Sequence, residues 1–318
     1  MSSAAHQIVG EIQSIYNSLS KLPSLAPGPQ VNALLTRLVN LCVQSYSEEL
    51  AANLLSQDGV ESLCSALRPL CATAEGELEQ YWARQIISTS KSQPLGMPSV
   101  SSSPIPHQHH HLMPLTAVPA QARNLLACFP YYDNYVDLAK LECHTLEIYL
   151  DTCSPDCRPS PCKLAFVGSG PMPLTSFCVL DRYTDATVHN IDRDSQALKV
   201  SEQLALHCGY GGRMTFSQED VSLVDNGSST TDWRSFQVVF LAALVGMDTP
   251  AKIEILAGLT KKLAPGTLVV ARSARGMRGV LYPVLELSED FQRIGLDILT
   301  VVHPWTRVVN SVVVMRVK

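Results

Sequence analysis

The chain has 318 residues, 46% hydrophobic and 17% charged, with a formal net charge of −5. That length and apolar content suit one large or two modest domains with real cores. The acidic balance argues against a nucleic-acid partner, and no apolar run approaches the ~20 residues of a membrane span. The start, MSSAAHQIVGEIQ, lacks the basic and apolar blocks of a signal peptide. The ten cysteines are therefore expected to be reduced thiols in a cytoplasmic protein.

The first 90 residues read as a helical domain. Ile8, Ile12, Ile15, Leu19 and Leu22 recur at spacings of three and four, and Leu34, Leu35, Leu38, Leu41 and Cys42 repeat the pattern after Pro27-Gly28-Pro29. Asp58 and Glu61 predict a capping box for a long helix to about Ile87, with Pro69 kinking or dividing it. On that helix Cys64, Cys71, Glu75, Leu78, Glu79, Trp82 and Ile86 share one stripe, whereas Glu77 faces away. Two acids four residues apart inside an apolar stripe are costly unless compensated. Either they are desolvated carboxylates with raised pKa, suited to general-base work, or they reach past the stripe to Arg68 or Arg84. Periodicity leaves both readings open.

Residues 88–119 hold seven serines and six prolines. Positions 91–119 are expected to form a linker or disordered loop that cannot offset its ordering entropy by burial. The tract His107-Gln108-His109-His110-His111 lies inside it. Flexible polar sequence without supporting partners is the favoured reading, and no metal site is assigned. Residues 120–318 read as a second domain. It begins with a helix over about 134–150 led by Phe129-Pro130-Tyr131-Tyr132-Asp133-Asn134-Tyr135. Cys153, Cys157 and Cys162 follow in a proline-rich loop without zinc-site spacing.

From Lys163 strands and helices alternate. Strands are predicted at 163–167, 186–191, 213–217, 237–242, 267–272, 297–302 and 310–317, with helices at 173–182, 194–207, 250–263 and 280–292. The short link between the last two strands makes them antiparallel. Parallel βα units closed by an antiparallel hairpin describe an α/β, Rossmann-like sheet of the S-adenosylmethionine-dependent methyltransferase type. Ligands in such sheets bind beyond the strands' carboxyl ends. The first end carries Gly168, Ser169 and Gly170, but Pro173 stands where a diphosphate site wants a third glycine. That departure favours a nucleoside without phosphates, such as S-adenosylmethionine. Asp192 follows Gly170 by 22 residues, suited to ribose hydroxyls, and Asp194 suits a helix cap. Asp220 is placed to accept from an adenine amino group. Ala242, Ala243 and Leu244 open an apolar loop, Ala242–Asp248, for the methionine end.

The segments Ala74-Glu75-Gly76-x-Leu78-Glu79, FPYYDNY at 129–135, VGSGPMPLTS at 167–176, HNIDRD at 189–194, FLAALVGMD at 240–248, LAPG at 263–266, RSARGMRGVLYP at 272–283 and HP…VVNSVVV at 303–314 resemble the nicotianamine synthase family. The Ser/Pro/His segment and the cysteine-rich loop depart from the plant-type pattern without removing a matched motif. The resemblance implies a transferase condensing three S-adenosylmethionine molecules to nicotianamine, releasing three 5′-methylthioadenosine. S-adenosylmethionine is then the substrate, and no further cofactor is implied. It also implies Glu79 as the base, with Glu75 in reserve, Tyr132 and Tyr131 orienting the amine, and Arg272, Arg278 and Tyr282 holding substrate carboxylates. Homo-oligomerisation is left open. The rivals are a transferase with another amine acceptor, an ordinary methyltransferase, a nicotinamide dehydrogenase and a non-enzymatic metal binder.

Overall fold

The structure, a computed structural model, describes residues 3–92, 117–150, 160–223 and 231–318. The histidine tract, Cys153 and Cys157 lie outside the described residues. The chain opens with α1 (Ser3–Leu19), α2 (Pro29–Val43) and α3 (Glu48–Leu55). Their periodic apolar positions, among them Ile12, Ile15, Leu35, Leu38 and Leu54, close on one core with Met277 and Val280.

Helix α4 (Val60–Ser92) then runs for 33 residues. Pro69 does not divide it. An interior proline costs roughly 3 kcal/mol, but buried Leu63 and Leu67 before it and Cys71 and Ala74 after it anchor both halves in the same core. The predicted capping box also fails to close, because Glu61 accepts from Ser65 Oγ and Arg68 Nη1 instead. Beyond Ala74, α4 changes partners. Leu78, Ala83, Ile86 and Ile87 belong to a second core, shared with α5 (Ala117–Leu126), α6 (Tyr132–Glu147) and one face of the sheet. The seam between the two cores falls at Glu75–Glu79.

The sheet comprises β1 (Lys163–Val167), β2 (Thr187–Asp192), β3 (Met214–Gln218), β4 (Val238–Leu241), β5 (Leu268–Ser273), β6 (Leu296–Val302) and β7 (Ser311–Val317) in the order β3-β2-β1-β4-β5-β7-β6. Strands β1 to β5 are parallel, and β7 inserts antiparallel between β5 and β6. The parallel strands read as nearly continuous apolar runs because both faces are covered. The helices α7 (Leu174–Arg182), α8 (Ser195–His207) and α9 (Thr249–Lys262) make the crossovers. Asp194 caps α8, accepting from the Gln196 and Ala197 N–H groups.

The helix predicted over 280–292 does not form. A 3-10 turn covers Gly276–Val280, and only α10 (Asp290–Arg293) is helical beyond it. Pro283 has no N–H and disfavours helical geometry in the residue before it. The extended chain is held instead by side chains of neighbouring elements. The Leu285 N–H donates to Ser273 Oγ, the Glu286 N–H donates to Thr249 Oγ1, and that hydroxyl donates to the Val284 carbonyl. Among the described residues no helix is long and apolar enough to cross a membrane, and no group of three His, Cys, Asp or Glu is placed to hold a metal ion.

Candidate active site

A cavity of about 300 Å³ lies at the carboxyl ends of β1 to β5, under the middle of α4. Its floor is the glycine turn. Gly168 and Gly170 have φ of +79° and +63°, a region L side chains rarely enter. A Cβ at Gly168 would stand 2.4 Å from Val245 Cγ2, and one at Gly170 would stand 3.1 Å from Glu79 Oε2. The first glycine thus lets the Ala242–Val245 loop close over the turn. The second lets the α4 carboxylate approach it.

Asp192, at the end of β2, braces this turn. Its Oδ2 accepts from the Gly170 N–H at 2.8 Å and its Oδ1 from the Asp194 N–H at 2.9 Å. Asp220, beyond β3, lines the same end of the cavity, its Oδ1 accepting from the Ser222 N–H and hydroxyl. Ala242, Ala243 and Leu244 line it from the β4 side. Their loop is fastened from beneath by Lys252, which is fully buried. Its Nζ donates to the carbonyls of Ala243 at 2.9 Å and Val245 at 2.7 Å. Burial pushes this ammonium down to about 7. Lys252 was invisible in the sequence, where an α9 lysine reads as solvent-facing.

The two α4 glutamates do not reach Arg68, whose fork is spent on Glu61 and the Gly279 carbonyl. Their partners are phenols. Tyr135 donates to Glu79 Oε1 at 2.6 Å, and Tyr282 donates to Glu75 at 3.1 Å. Burial raises both carboxyls. Glu79 is pushed up to about 8 by burial and then by the neighbouring Glu75 charge, against the Tyr135 bond and Arg272, which pull it down. Glu75 is raised by burial and restrained by Tyr282, Arg272 and Tyr135. For Glu79, neutral acid and carboxylate are therefore both accessible near pH 8.

Several predicted contacts fall elsewhere. Tyr131 packs edge-to-face on Phe129 at 5.9 Å. Tyr132 lies near Cys178, Asp181 and Arg123, which are outside the cavity lining. Neither tyrosine lines the cavity; Tyr135 does. A signal for it existed, since Tyr135, Leu138 and Glu142 share one face of α6 at helical spacing, and Leu138 and Glu142 are buried. Tyr282 lines the cavity, but its hydroxyl serves Glu75. Arg272 also lines it, yet its fork grips Glu142 at 2.7 and 3.0 Å and Thr175 at 2.8 Å. Arg278 is not there. It donates to the Val308 and Thr306 carbonyls and lines a separate cavity beside α2 and α3. Two residues that line the cavity carry a buried polar atom with no protein partner, Ser169 Oγ and Asn310 Nδ2. No periodicity or spacing in the sequence marks Asn310.

A doubly wound sheet with this glycine turn, acids beyond β2 and β3, and a proline where a third glycine would accommodate diphosphate defines a Rossmann-like, methyltransferase-type enzyme fold. The fold matches that of MtNAS in complex with MTA and tNA, with a TM-score of 0.73 at 18% identity over 100% of this chain and 99% of that one. The family model described as nicotianamine synthase protein matches residues 1–98 and 106–318. Nicotianamine synthase 3 of Oryza sativa subsp. indica is 36% identical over 98% of this chain and 78% of its own length. Nicotianamine synthase 2 of Arabidopsis thaliana is 36% identical over 97% of this chain and 83% of its own. The chain belongs to the nicotianamine synthase family.

Proposed function

We propose that the chain condenses three S-adenosylmethionine molecules into nicotianamine and releases three molecules of 5′-methylthioadenosine. The observation that carries this reading is Glu79. A carboxyl raised to about 8 is delivered by a helix outside the sheet onto the glycine turn. An amine acceptor must lose a proton before its nitrogen can attack, and a carboxyl over the turn is placed to take it.

Asp192 is suited to the ribose hydroxyls and Asp220 to the adenine amino group, since carboxylates accept from both. The apolar loop Ala242–Leu244 suits the thioether side, with the Gly168, Ser169 and Gly170 turn at the methionine chain. The α-amine of an acceptor gives its proton to Glu79, whose orientation is held by Tyr135. The nitrogen lone pair then forms a bond to the γ-carbon of the donor's methionine chain. The carbon–sulfur bond breaks, its pair returns to the sulfonium, and neutral methylthioadenosine leaves. Geometry selects this carbon over the methyl group. Glu75, held by Tyr282, supplies a second proton site for the later steps. Azetidine closure is the same attack within one molecule. The described cysteines are free thiols, most of them buried, which suits a reducing compartment such as the cytoplasm.

The test is mass spectrometry after incubation with S-adenosylmethionine alone. Methylthioadenosine with a nicotianamine-mass product is the expected result. Methylthioadenosine formed only with an added amine would indicate another acceptor. S-adenosylhomocysteine would overturn the reading.

A further inference from the structure

We infer that Asn310 is a specificity-determining residue, whose amide holds the α-carboxylate of the amine acceptor. The inference rests on the reading above, in which an α-amino acid moiety enters the cavity beside Glu79.

Asn310 is only 4% exposed, and its Nδ2 has no protein partner. A buried amide donor is not left unmatched without cost. Among the described residues five buried side-chain polar atoms lack partners, and the two that line this cavity are Ser169 Oγ and Asn310 Nδ2. They come from different parts of the sheet. Ser169 belongs to the turn after β1, which Asp192 braces. Asn310 precedes β7, whose first residue, Ser311, pairs with Ser273 at the end of β5. Because β7 runs antiparallel, its beginning lies at the edge where the parallel strands end. The inserted strand therefore carries Asn310 to the Arg272 end of the cavity.

The chemistry at that end points to a carboxylate. Arg272 lies there, its Nε and Nη2 donating to Glu142 and Thr175. The Tyr282 and Tyr135 hydroxyls are committed to Glu75 and Glu79. Asn310 Nδ2 has no protein partner, on the same cavity lining as the Arg272–Glu142 ion pair. A neutral amide suits the place, since another cation would pull the nearby Glu79 down out of its working range. The acceptor's amine must meet Glu79, so its own carboxylate is turned away from the α4 acids, towards the β5–β7 edge.

The test compares Asn310→Asp and Asn310→Ser with the parent chain. Asn310→Asp is isosteric but presents an acceptor and a charge. Its methylthioadenosine release should fall at least 100-fold at pH 8, while S-adenosylmethionine binding by equilibrium dialysis stays within threefold. Its rate relative to the parent should recover as pH falls, because a protonated Asp can donate; a purely structural role would not produce that trend. Asn310→Ser, smaller but still a donor, should lose less. A turnover-independent readout is the binding of L-2-aminobutyrate to methylthioadenosine-loaded protein, followed by saturation-transfer NMR. At least a tenfold weakening is expected in Asn310→Asp. Turnover and aminobutyrate binding within threefold of the parent in both variants would overturn the inference. So would an equal loss of S-adenosylmethionine binding and turnover. Failure of the parent to make nicotianamine would instead sink the functional reading, with the aminobutyrate comparison still deciding the role of Asn310.

Discussion

Replacing Glu79 by Gln keeps the shape and an oxygen for the Tyr135 hydroxyl but removes the proton acceptor. With the carboxyl at about 8, roughly a tenth of the parent molecules carry an ionised Glu79 at pH 7, about half at pH 8 and about nine-tenths at pH 9. Parent turnover should therefore climb about fivefold from pH 7 to 8 and flatten by pH 9. A positioned base contributes about 10²–10⁴-fold, equivalent to roughly 3–5 kcal/mol of barrier. The Gln variant should lose that factor at pH 8 and lose the pH 7-to-8 climb with it. The assay is chromatographic release of methylthioadenosine, beside equilibrium dialysis of S-adenosylmethionine. Binding should persist, since the residues proposed for the nucleoside lie at the ends of β1 to β4. Stability should move the other way. A carboxyl raised on folding binds protons in the native state that the unfolded chain releases above about 4.5, so its contribution falls as pH rises from there to about 8. The Gln variant should out-melt the parent by a margin that widens over that window. Turnover by Glu79→Gln within tenfold of the parent at pH 8 would refute the assignment.

Tyr135→Phe removes the 2.6 Å bond that holds Glu79 down. Its pH–rate profile should shift to higher pH, with about a tenfold loss at pH 7 that shrinks by pH 9. Lys252→Met frees the carbonyls of Ala243 and Val245 under the apolar loop, and dialysis should show weaker S-adenosylmethionine binding. The parent lysine, lowered to about 7 from its ordinary value, binds fewer protons folded than unfolded. Its contribution to stability therefore rises with pH above about 7, and thermal melts of the Met variant should lack that rise. Arg278→Gln breaks two bonds to the Val308 and Thr306 carbonyls. It should cost about 1–3 kcal/mol in denaturant unfolding and leave turnover of the folded protein within about threefold.

Local pattern was enough for the helices and strands whose period is set by burial. The β1 to β5 runs are apolar because both faces are covered, and α1 to α3 show their faces at spacings of three and four. The glycine turn was legible because positive φ and close approach leave little choice but glycine. Asp192 was legible because its distance from that turn follows from the length of one helix and one strand. Glu75 and Glu79 were visible as a conflict, two acids in an apolar stripe, but the stripe was equally consistent with arginine partners. Only packing decided that phenols from α6 and the 281–289 segment meet them. The helix predicted over 280–292 failed because its backbone found partners on Ser273 and Thr249, which sequence spacing does not reveal. Tyr135 displaced Tyr132 because a helix shows one face to a cavity, whereas Tyr131 precedes the helix and packs on Phe129. Arg278 left the site because the 3-10 turn aims it at the 306–308 backbone. Asn310 entered because β7 runs against its neighbours. The sequence by itself determined the periodic helices, the apolar strands and the glycine turn, because propensity, periodicity and glycine's missing Cβ act locally. The tertiary structure alone decided which side chains face one another across the cavity, because such contacts join residues 56 and 207 positions apart that no local period relates.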